Sequence, residues 1–494
     1  MIANARLIAS LLAAGLVAGC HAAASSSAGG SHRPGTAATG GDYEFSGGFP
    51  TKETVQRAYD DADFSRAVEA YKFFYPTVSW AAGFLVLEPA GIKTNRMAGL
   101  LESDPKQLVF TPNSDTPYAV VPLDLSGGPI VVELPAGALI GAANDLNQRW
   151  VMDFGLPGPD KGKGGKHLIL PPGWKSDVPQ GYFTGTSSTN RLTLAIRAIP
   201  DKGDNKAAKE LTKTVKIHPL QGSWSVTDWV DLTGRKLDMS CVGYETDLKF
   251  WSELHDIIDK EPPFEPYRMM YGELAALGIM KGKPFAPDAR MKDILVRAAK
   301  AANAQMRVQA FADRTPERVT WKDRQWEWAS LRPENGTFDL PGYQDLAARD
   351  KWFYQAILES PAMFKRDPTT GSLYWLGLRD RNGDYVDGGK TYKLTVPLPV
   401  PAKLFWSVTV YDPDTRAQIA TDQGHAALRS IFELKDSKGS SVDLYFGPKA
   451  PAGHEGQWIQ TIPGKGWFAY FRIYGPDAPA FDGSWKPGDF ELVK

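Results

Sequence analysis

The sequence is poor in the residues that metal and thiol chemistry require. It has two cysteines and seven histidines in 494 residues. His21, His32, His167, His218, His255, His425 and His454 form no His-x-Glu, His-x3-His or Cys/His pair at ligand spacing. No cofactor is therefore predicted, and a divalent metal would need residues from distant parts of the chain to converge. Charge of one sign is also missing. Lys and Arg number 56 against 57 Asp and Glu, with no basic stripe interleaved with aromatics, which removes the electrostatic case for nucleic acid.

Several catalytic signatures are absent too. No Gly-x-Ser-x-Gly occurs; the nearest match, Gly185-Thr-Ser-Ser-Thr189, lacks the second glycine, and no parallel β-α alternation supports an α/β-hydrolase. Gly158-Pro-Asp-Lys-Gly-Lys-Gly-Gly-Lys166 lacks P-loop spacing and reads as a hairpin or mobile flap, with an anion cradle as the alternative. Asp380, Asp384 and Asp387 flank Asn382-Gly383, but the further acidic oxygens and closing Glu of a calcium loop are missing, so a type I′ hairpin is expected.

Beyond the N-terminus no apolar run approaches the ~18 residues needed to cross a bilayer. At the N-terminus, Arg6 precedes an apolar run from Leu7 to Val17 and then Leu16-Val-Ala-Gly-Cys20. This is a signal-peptide pattern, and it resembles a bacterial lipobox, which implies cleavage before Cys20 and lipidation of its thiol. His21, rather than Asp, follows Cys20. The expectation is a periplasmic, cell-envelope protein sorted to the outer membrane and touching membrane only through its lipid. Cys241 then has no partner and reads as a buried structural thiol.

What the sequence has in quantity is glycine, proline and aromatic rings arranged as strands and turns. Phe405-Trp-Ser-Val-Thr-Val-Tyr-Asp412, Ser441-Val-Asp-Leu-Tyr-Phe-Gly447 and Gly466-Trp-Phe-Ala-Tyr-Phe-Arg-Ile-Tyr-Gly-Pro476 alternate with period two and end in turn residues. In the last of these, Phe468, Tyr470 and Arg472 oppose Trp467, Ala469 and Phe471. The organisation read from these patterns is a signal peptide (1–20), an Ala/Ser/Gly tether (21–44), a β-rich domain (45–235), a helical connecting region (236–370) and a C-terminal β domain (371–494). Helical spacing begins at Thr51 and is expected to stop at Pro76; it recurs over Thr246–Ile258, Asp288–Asp313 and Gln344–Leu358. The fold class is mainly β with a helical middle, α+β, with two antiparallel sandwich or jelly-roll domains.

The C-terminal runs, with Arg472-Ile-Tyr-Gly-Pro476 and Asp482-Gly-Ser-Trp-Lys-Pro487, resemble the bacterial domain of unknown function 1214. The N-terminal half resembles the domain that usually precedes it, numbered 1254, through Tyr71-Lys-Phe-Phe-Tyr-Pro-Thr-Val78 and Asn113-Ser-Asp-Thr-Pro-Tyr118. The resemblance implies a fold and an order of domains but no settled reaction.

The cluster at Asn113, Asp115, Thr116 and Tyr118 is the leading candidate site. Bounded by Pro112 and Pro117, it could orient a substrate, bind a hard cation, or supply a general base in Asp115, with Asn113, Tyr118 and Arg149 orienting and Asp153 nearby. The alternative is an Asx-type turn. A second candidate is an exposed aromatic platform on the C-terminal sheet, with Trp406, Trp485, Arg472 and Asp482 taking a glycan or another flat ligand; its alternative is sandwich core. The functional expectation is a hydrolytic enzyme acting on a small or polymeric ligand in an inter-domain cleft. The alternative is a non-catalytic module binding glycan or protein. Oligomeric state is not legible.

Overall fold

A computed structural model describes residues 43–239, 245–368 and 371–493. Cys20, Cys241, the signal segment and nearly all of the tether lie outside the described residues. The chain divides into two compact units, Met1–Ala58 and Tyr59–Lys494. In the first, Phe45–Ser46 pairs antiparallel with Phe49–Pro50, and Thr54 Oγ1 accepts from the Glu44 amide at 2.7 Å. All that follows concerns the second.

Its helices are α1 (Lys52–Leu87, begun in the first unit), α2 (Asn205–Lys213), α3 (Leu248–Lys260), α4 (Arg268–Ala276), α5 (Ala289–Phe311), α6 (Leu346–Gln355) and α7 (Pro361–Phe364). The principal strands of the first half are β1 (Met97–Leu101), β2 (Tyr118–Asp124), β3 (Ile130–Leu134), β4 (Leu139–Asp145), β5 (Trp150–Gly155), β6 (Gly165–Leu170), β7 (Tyr182–Thr186), β8 (Arg191–Ala198), β9 (Lys216–Pro219) and β10 (Asp228–Asp231). They form a six-stranded sheet, β10-β1-β2-β8-β4-β5, and a four-stranded one, β7-β6-β3-β9. Pairing is antiparallel except β10 with β1 and β7 with β6. Val121, Leu123, Leu192 and Leu194 of the larger sheet share one core with Ile130, Val132 and Ile169 of the smaller.

The second half repeats the plan with β11 (Trp326–Trp328), β12 (Ser372–Gly377), β13 (Tyr392–Pro397), β14 (Ala402–Tyr411), β15 (Ala427–Arg429), β16 (Ser441–Gly447), β17 (Trp458–Gln460), β18 (Phe468–Pro476) and β19 (Glu491–Leu492). A five-stranded sheet, β11-β12-β18-β14-β15, faces a four-stranded one, β17-β16-β13-β19, across a core of Trp375, Val408, Phe471, Leu394, Val396, Leu444 and Phe446. The fold is α+β. Strand β11 comes from within the middle region, so that region supplies sheet as well as helix.

Helix α1 runs through Pro76 instead of stopping there. Proline removes one helical hydrogen bond and crowds the preceding turn, but every residue from Ala67 to Gly83 except Glu69 and Lys72 is buried. The core around it includes Trp251, Leu254, Leu295 and Ala298. Side chains also serve backbone groups at the interruption: Arg349 donates to the Phe73 carbonyl at 2.7 Å, and Gln148 donates to that of Pro76 at 2.8 Å. Packing overrides the local breaker. At Asn382-Gly383 the turn forms, with only Gly383 of the pair at positive φ (89°) and Asp380 Oδ1 accepting from the Asn382 and Asp384 amides. A type I′ turn needs both residues at positive φ, so the expected turn type is replaced by one that the Asp380 side chain closes.

The middle helices are tied to the second half by a buried charge cluster. Lys351 of α6, fully buried, donates to Asp313 at 3.0 Å and to Glu327 of β11 at 2.9 Å. Burial alone would raise the Asp313 pKa, yet Lys351 and Thr315 hold it below its ordinary value. Removing one partner of such a cluster leaves uncompensated buried charge. Lys351→Met is therefore expected to destabilise the protein by about 3–5 kcal/mol, read as a lower urea midpoint; an unchanged midpoint would show that the cluster contributes nothing.

Candidate functional site

Strand alternation places the site. On β18, Ala469, Phe471 and Ile473 enter the core between the second-half sheets, while Phe468 and Tyr470 belong to a second cluster with Trp352, Phe353 and Leu376. Arg472 and Tyr474 share the register of Tyr470, as Ser407, Thr409 and Tyr411 do on β14. This face is polar and aromatic, yet it is buried, because the first half and helix α6 cover it.

The Asn113–Tyr118 segment is the contact. Asp115, fully buried, accepts hydrogen bonds at Oδ2 from Ser407 (3.0 Å) and Tyr474 (3.1 Å). Arg429 donates to the Ser114 carbonyl at 2.6 Å, and Tyr411 to that of Pro112 at 2.7 Å. Arg472 donates to Tyr411 (2.6 Å) and to the Thr111 carbonyl (2.8 Å). Within the segment the Asp115 amide donates to Asn113 Oδ1 at 3.0 Å, the Asx-type turn, and Asn113 Nδ2 donates to the Tyr118 hydroxyl. Arg197 of β8 donates to the same hydroxyl at 3.2 Å and lies over the rings of Tyr118 and Tyr474, 5.3 Å from each.

Beside this cluster lies a cavity of about 170 Å³ between the two halves. Its apolar walls include Val120, Ile140, Ala142, Ala195, Trp352 and Ile357; its polar lining includes Asn113, Tyr118, Arg197, Arg472, Asp153 and Tyr374. Asp115 is not on the wall. Burial raises its pKa, against the pull of Arg472, Arg429, Ser407 and Tyr474, and it stands behind the surface that a ligand would touch. Asp153 does line the cavity. Burial raises its pKa to about 7, opposed by Ser360, the Ala362 amide, Trp150 and Lys161, and its Oδ1 has no partner among the described residues.

The other expected residues are placed elsewhere. Arg149 turns away to pair with Asp339 at 2.9 Å, with its guanidinium 5.2 Å from the Phe264 ring. Trp406 stacks on Phe471 (5.4 Å, 9°) and Trp485 on Trp375 (6.0 Å, 17°), all inside the core, so neither forms an exposed platform. Trp406 lies on the core face of its strand, opposite Ser407. Asp482 is exposed in a turn where it accepts from the Ser484 amide. Arg472 belongs to the inter-domain cluster. The Gly158–Lys166 loop is anchored by Asp160, which accepts from the Gly155 amide at 2.8 Å and lies 3.2 Å from the buried His167 ring. No group of three or more metal-ligating side chains is found among the described residues.

Family models place this geometry in context. Residues 94–219 match "Protein of unknown function (DUF1254)" and residues 371–478 match "Protein of unknown function (DUF1214)". The chain carries both domains, in that order. The cavity therefore lies between a DUF1254 sheet and a DUF1214 sheet. No curated protein matches. Among solved structures, the VPA0106 protein from Vibrio parahaemolyticus is similar over 87% of this chain and 100% of its own, with 18% identity and a TM-score of 0.55, which shows a shared fold. An uncharacterised protein from Burkholderia cenocepacia aligns over 89% and 97%, with 11% identity and a TM-score of 0.39.

Sequence reasoning reached the DUF1254 half of the cluster but not its partners Ser407, Tyr411 and Tyr474, which follow about 300 residues later. Arg197, the next-to-last residue of a plain alternating strand, carried no distinguishing signal.

Asp153 gives a pH signature. Unfolded, it loses its proton near 3.8; folded, near 7. Between those values rising pH drains protons from the unfolded chain first, so this residue's contribution to stability falls. Asp153→Asn cannot titrate, and relative to wild type it should gain up to about 4 kcal/mol from pH 4 to pH 7 and nothing further above. Melting temperatures of both proteins across that range check this; a constant difference would refute the shifted pKa.

Proposed function

We propose that the cavity between the DUF1254 and DUF1214 sheets is the active site of a hydrolytic enzyme acting on a small molecule. Asp153 takes the role of general base. The observation that carries the reading is the position of buried Asp153 on the wall of a mainly apolar cavity, with a pKa near neutrality. Asp115, behind the wall, serves as a positioning residue that fixes Asn113 and Tyr118 against the second half.

In this mechanism ionised Asp153 takes a proton from water as its oxygen adds to an acyl carbon. The bond from that carbon to the leaving group then breaks, and the leaving group departs with the proton held by Asp153. One water is consumed, one acid and one protonated leaving group are released, and Asp153 is regenerated. Tyr118 and Asn113 present polar groups to the bound molecule. A non-catalytic glycan-binding module is less favoured, because the tryptophans expected to stack on sugar lie in the core.

We read each pair of facing sheets as a sandwich, the second of jelly-roll type. The lipobox-like Leu16-Val-Ala-Gly-Cys20 supports export to the periplasm and anchoring at the outer membrane by a lipid on Cys20. Labelling cells with radioactive palmitate should mark the wild-type protein, and Cys20→Ser should remove both label and membrane association. Label persisting in the variant would dismiss the anchor.

The enzymatic reading is tested by incubating the protein with short-chain aliphatic and aromatic esters and amides and following products by mass spectrometry. Turnover should rise with pH to a plateau above about 7, as Asp153 ionises, and fall by roughly 10²–10⁴-fold in Asp153→Asn. No hydrolysis across the panel, or full turnover by the variant, rejects it.

A further inference from the structure

Two arginines of the cavity wall have no ion-pair partner among the described residues. Arg472 is 2% exposed, Arg197 is partly buried, and both line the cavity. Their hydrogen bonds go to phenols and a backbone carbonyl, and among the described residues neither takes part in a salt bridge. Several other arginines of this fold are ion-paired, Arg416 with Glu245 at 3.0 Å, Arg429 with Glu433 at 2.5 Å and Arg149 with Asp339 at 2.9 Å, while Arg349 and Arg366, away from the cavity wall, donate to backbone carbonyls.

The carboxylate that acts on Arg472 is Asp115, whose raised pKa weakens it as a counter-charge. Asp153, the carboxylate on the wall, forms no salt bridge with either arginine. Among the described residues, neither guanidinium therefore has a carboxylate within salt-bridge distance. Arg472 Nε, moreover, is buried and has no partner among the described residues. Isolated buried charge is expensive and is ordinarily paired. The remaining wall is mainly hydrocarbon, with Asn113, Tyr118, Tyr374 and Asp153 as further polar groups.

We infer that the ligand of this cavity is a small carboxylic acid, or a molecule carrying one carboxylate on an apolar body. Its carboxylate lies against Arg197 and Arg472, and its body lies along Val120, Ile140, Ala195 and Ile357. The size agrees: a cavity of about 170 Å³ is close to that which accommodates a single benzene ring. Guanidinium is also suited to the planar, two-oxygen head of a carboxylate. This inference rests on the cavity being the ligand site, as in the hydrolytic reading, but not on Asp153 being a base.

The test uses the full mature chain and four probes, hexanoate, hexanamide, benzoate and benzamide, with binding measured by calorimetry at pH 7.5. Each acid should bind at least about tenfold more tightly than its amide, because only the acid supplies the missing charge. Arg197→Gln should remove that preference, and Arg197→Lys should restore part of it. Equal affinity for acid and amide in the wild type, or no binding of either acid at millimolar concentration, overturns the inference even if the Arg197 variants fail to fold. Asp153→Asn separates the two readings. Retained acid preference with unchanged ester turnover in that variant ends the hydrolytic reading and leaves the anion site standing. Lost turnover with no acid preference does the reverse.

Discussion

The constraint on which the rest depends is the burial of arginine between two β structures. Arg472 stands on β18 with its whole side chain withdrawn from water, a position tolerable only if its donors are met. The Thr111 carbonyl and the Tyr411 hydroxyl meet two of them. Thr111 opens the segment that continues into Asn113, Asp115 and Tyr118. The two halves are thus held in register by polar groups that neither half could satisfy alone. An apolar contact would tolerate sliding; a network with directional donors and one carboxylate does not.

That arrangement explains why the Asn-x-Asp-Thr-x-Tyr run could be read both as a turn and as a site. The Asx-type bond from the Asp115 amide to Asn113 is present, so the local reading holds. Its effect is to aim the Asp115 carboxylate out of its own half, toward Ser407 and Tyr474. A turn that exports a carboxylate into a partner sheet is part of a docking device, and the cavity lies beside it. The side chains on the wall, Asn113 and Tyr118, are those the turn presents there.

Much of the fold was legible because period-two alternation survives in isolation. Phe471 and Tyr470 fall on opposite faces whatever lies beyond them, and the turn residues that bound each strand are local too. The α+β class and the helices of the middle followed from the same kind of signal. What escaped depends on contacts distant in sequence. Pro76 reads as a stop, and only the surrounding core with Arg349 and Gln148 carries the helix past it. Trp406 and Trp485 read equally well as core or platform, since alternation says that two faces exist but not which one is covered. Both faces proved to be covered, one by the second sheet and one by the DUF1254 half together with helix α6. Asp153 was legible only as a neighbour, because its raised pKa comes from burial by residues distant in sequence.

Two backbone positions indicate how tightly the cavity wall is held. Thr111 and Leu358 both line it and both have positive φ, 43° and 66°, without being glycine. A non-glycine residue in that region is strained, at roughly 1–3 kcal/mol, and β-branched Thr111 is the less common case. Each is fastened on both sides. The Thr111 amide donates to the Arg416 carbonyl at 2.8 Å while its own carbonyl accepts from Arg472 at 2.8 Å. The Leu358 amide donates to Gln148 and its carbonyl accepts from Trp352, each at 2.8 Å. Strain persists only where its surroundings over-determine it. Arg416, Arg472 and Gln148 come from elements far away in the chain and only Trp352 is local, so the packed unit as a whole holds the wall in shape. A wall so held gives up little conformational freedom when a ligand arrives, and that suits a cavity whose unpaired charge is already in place.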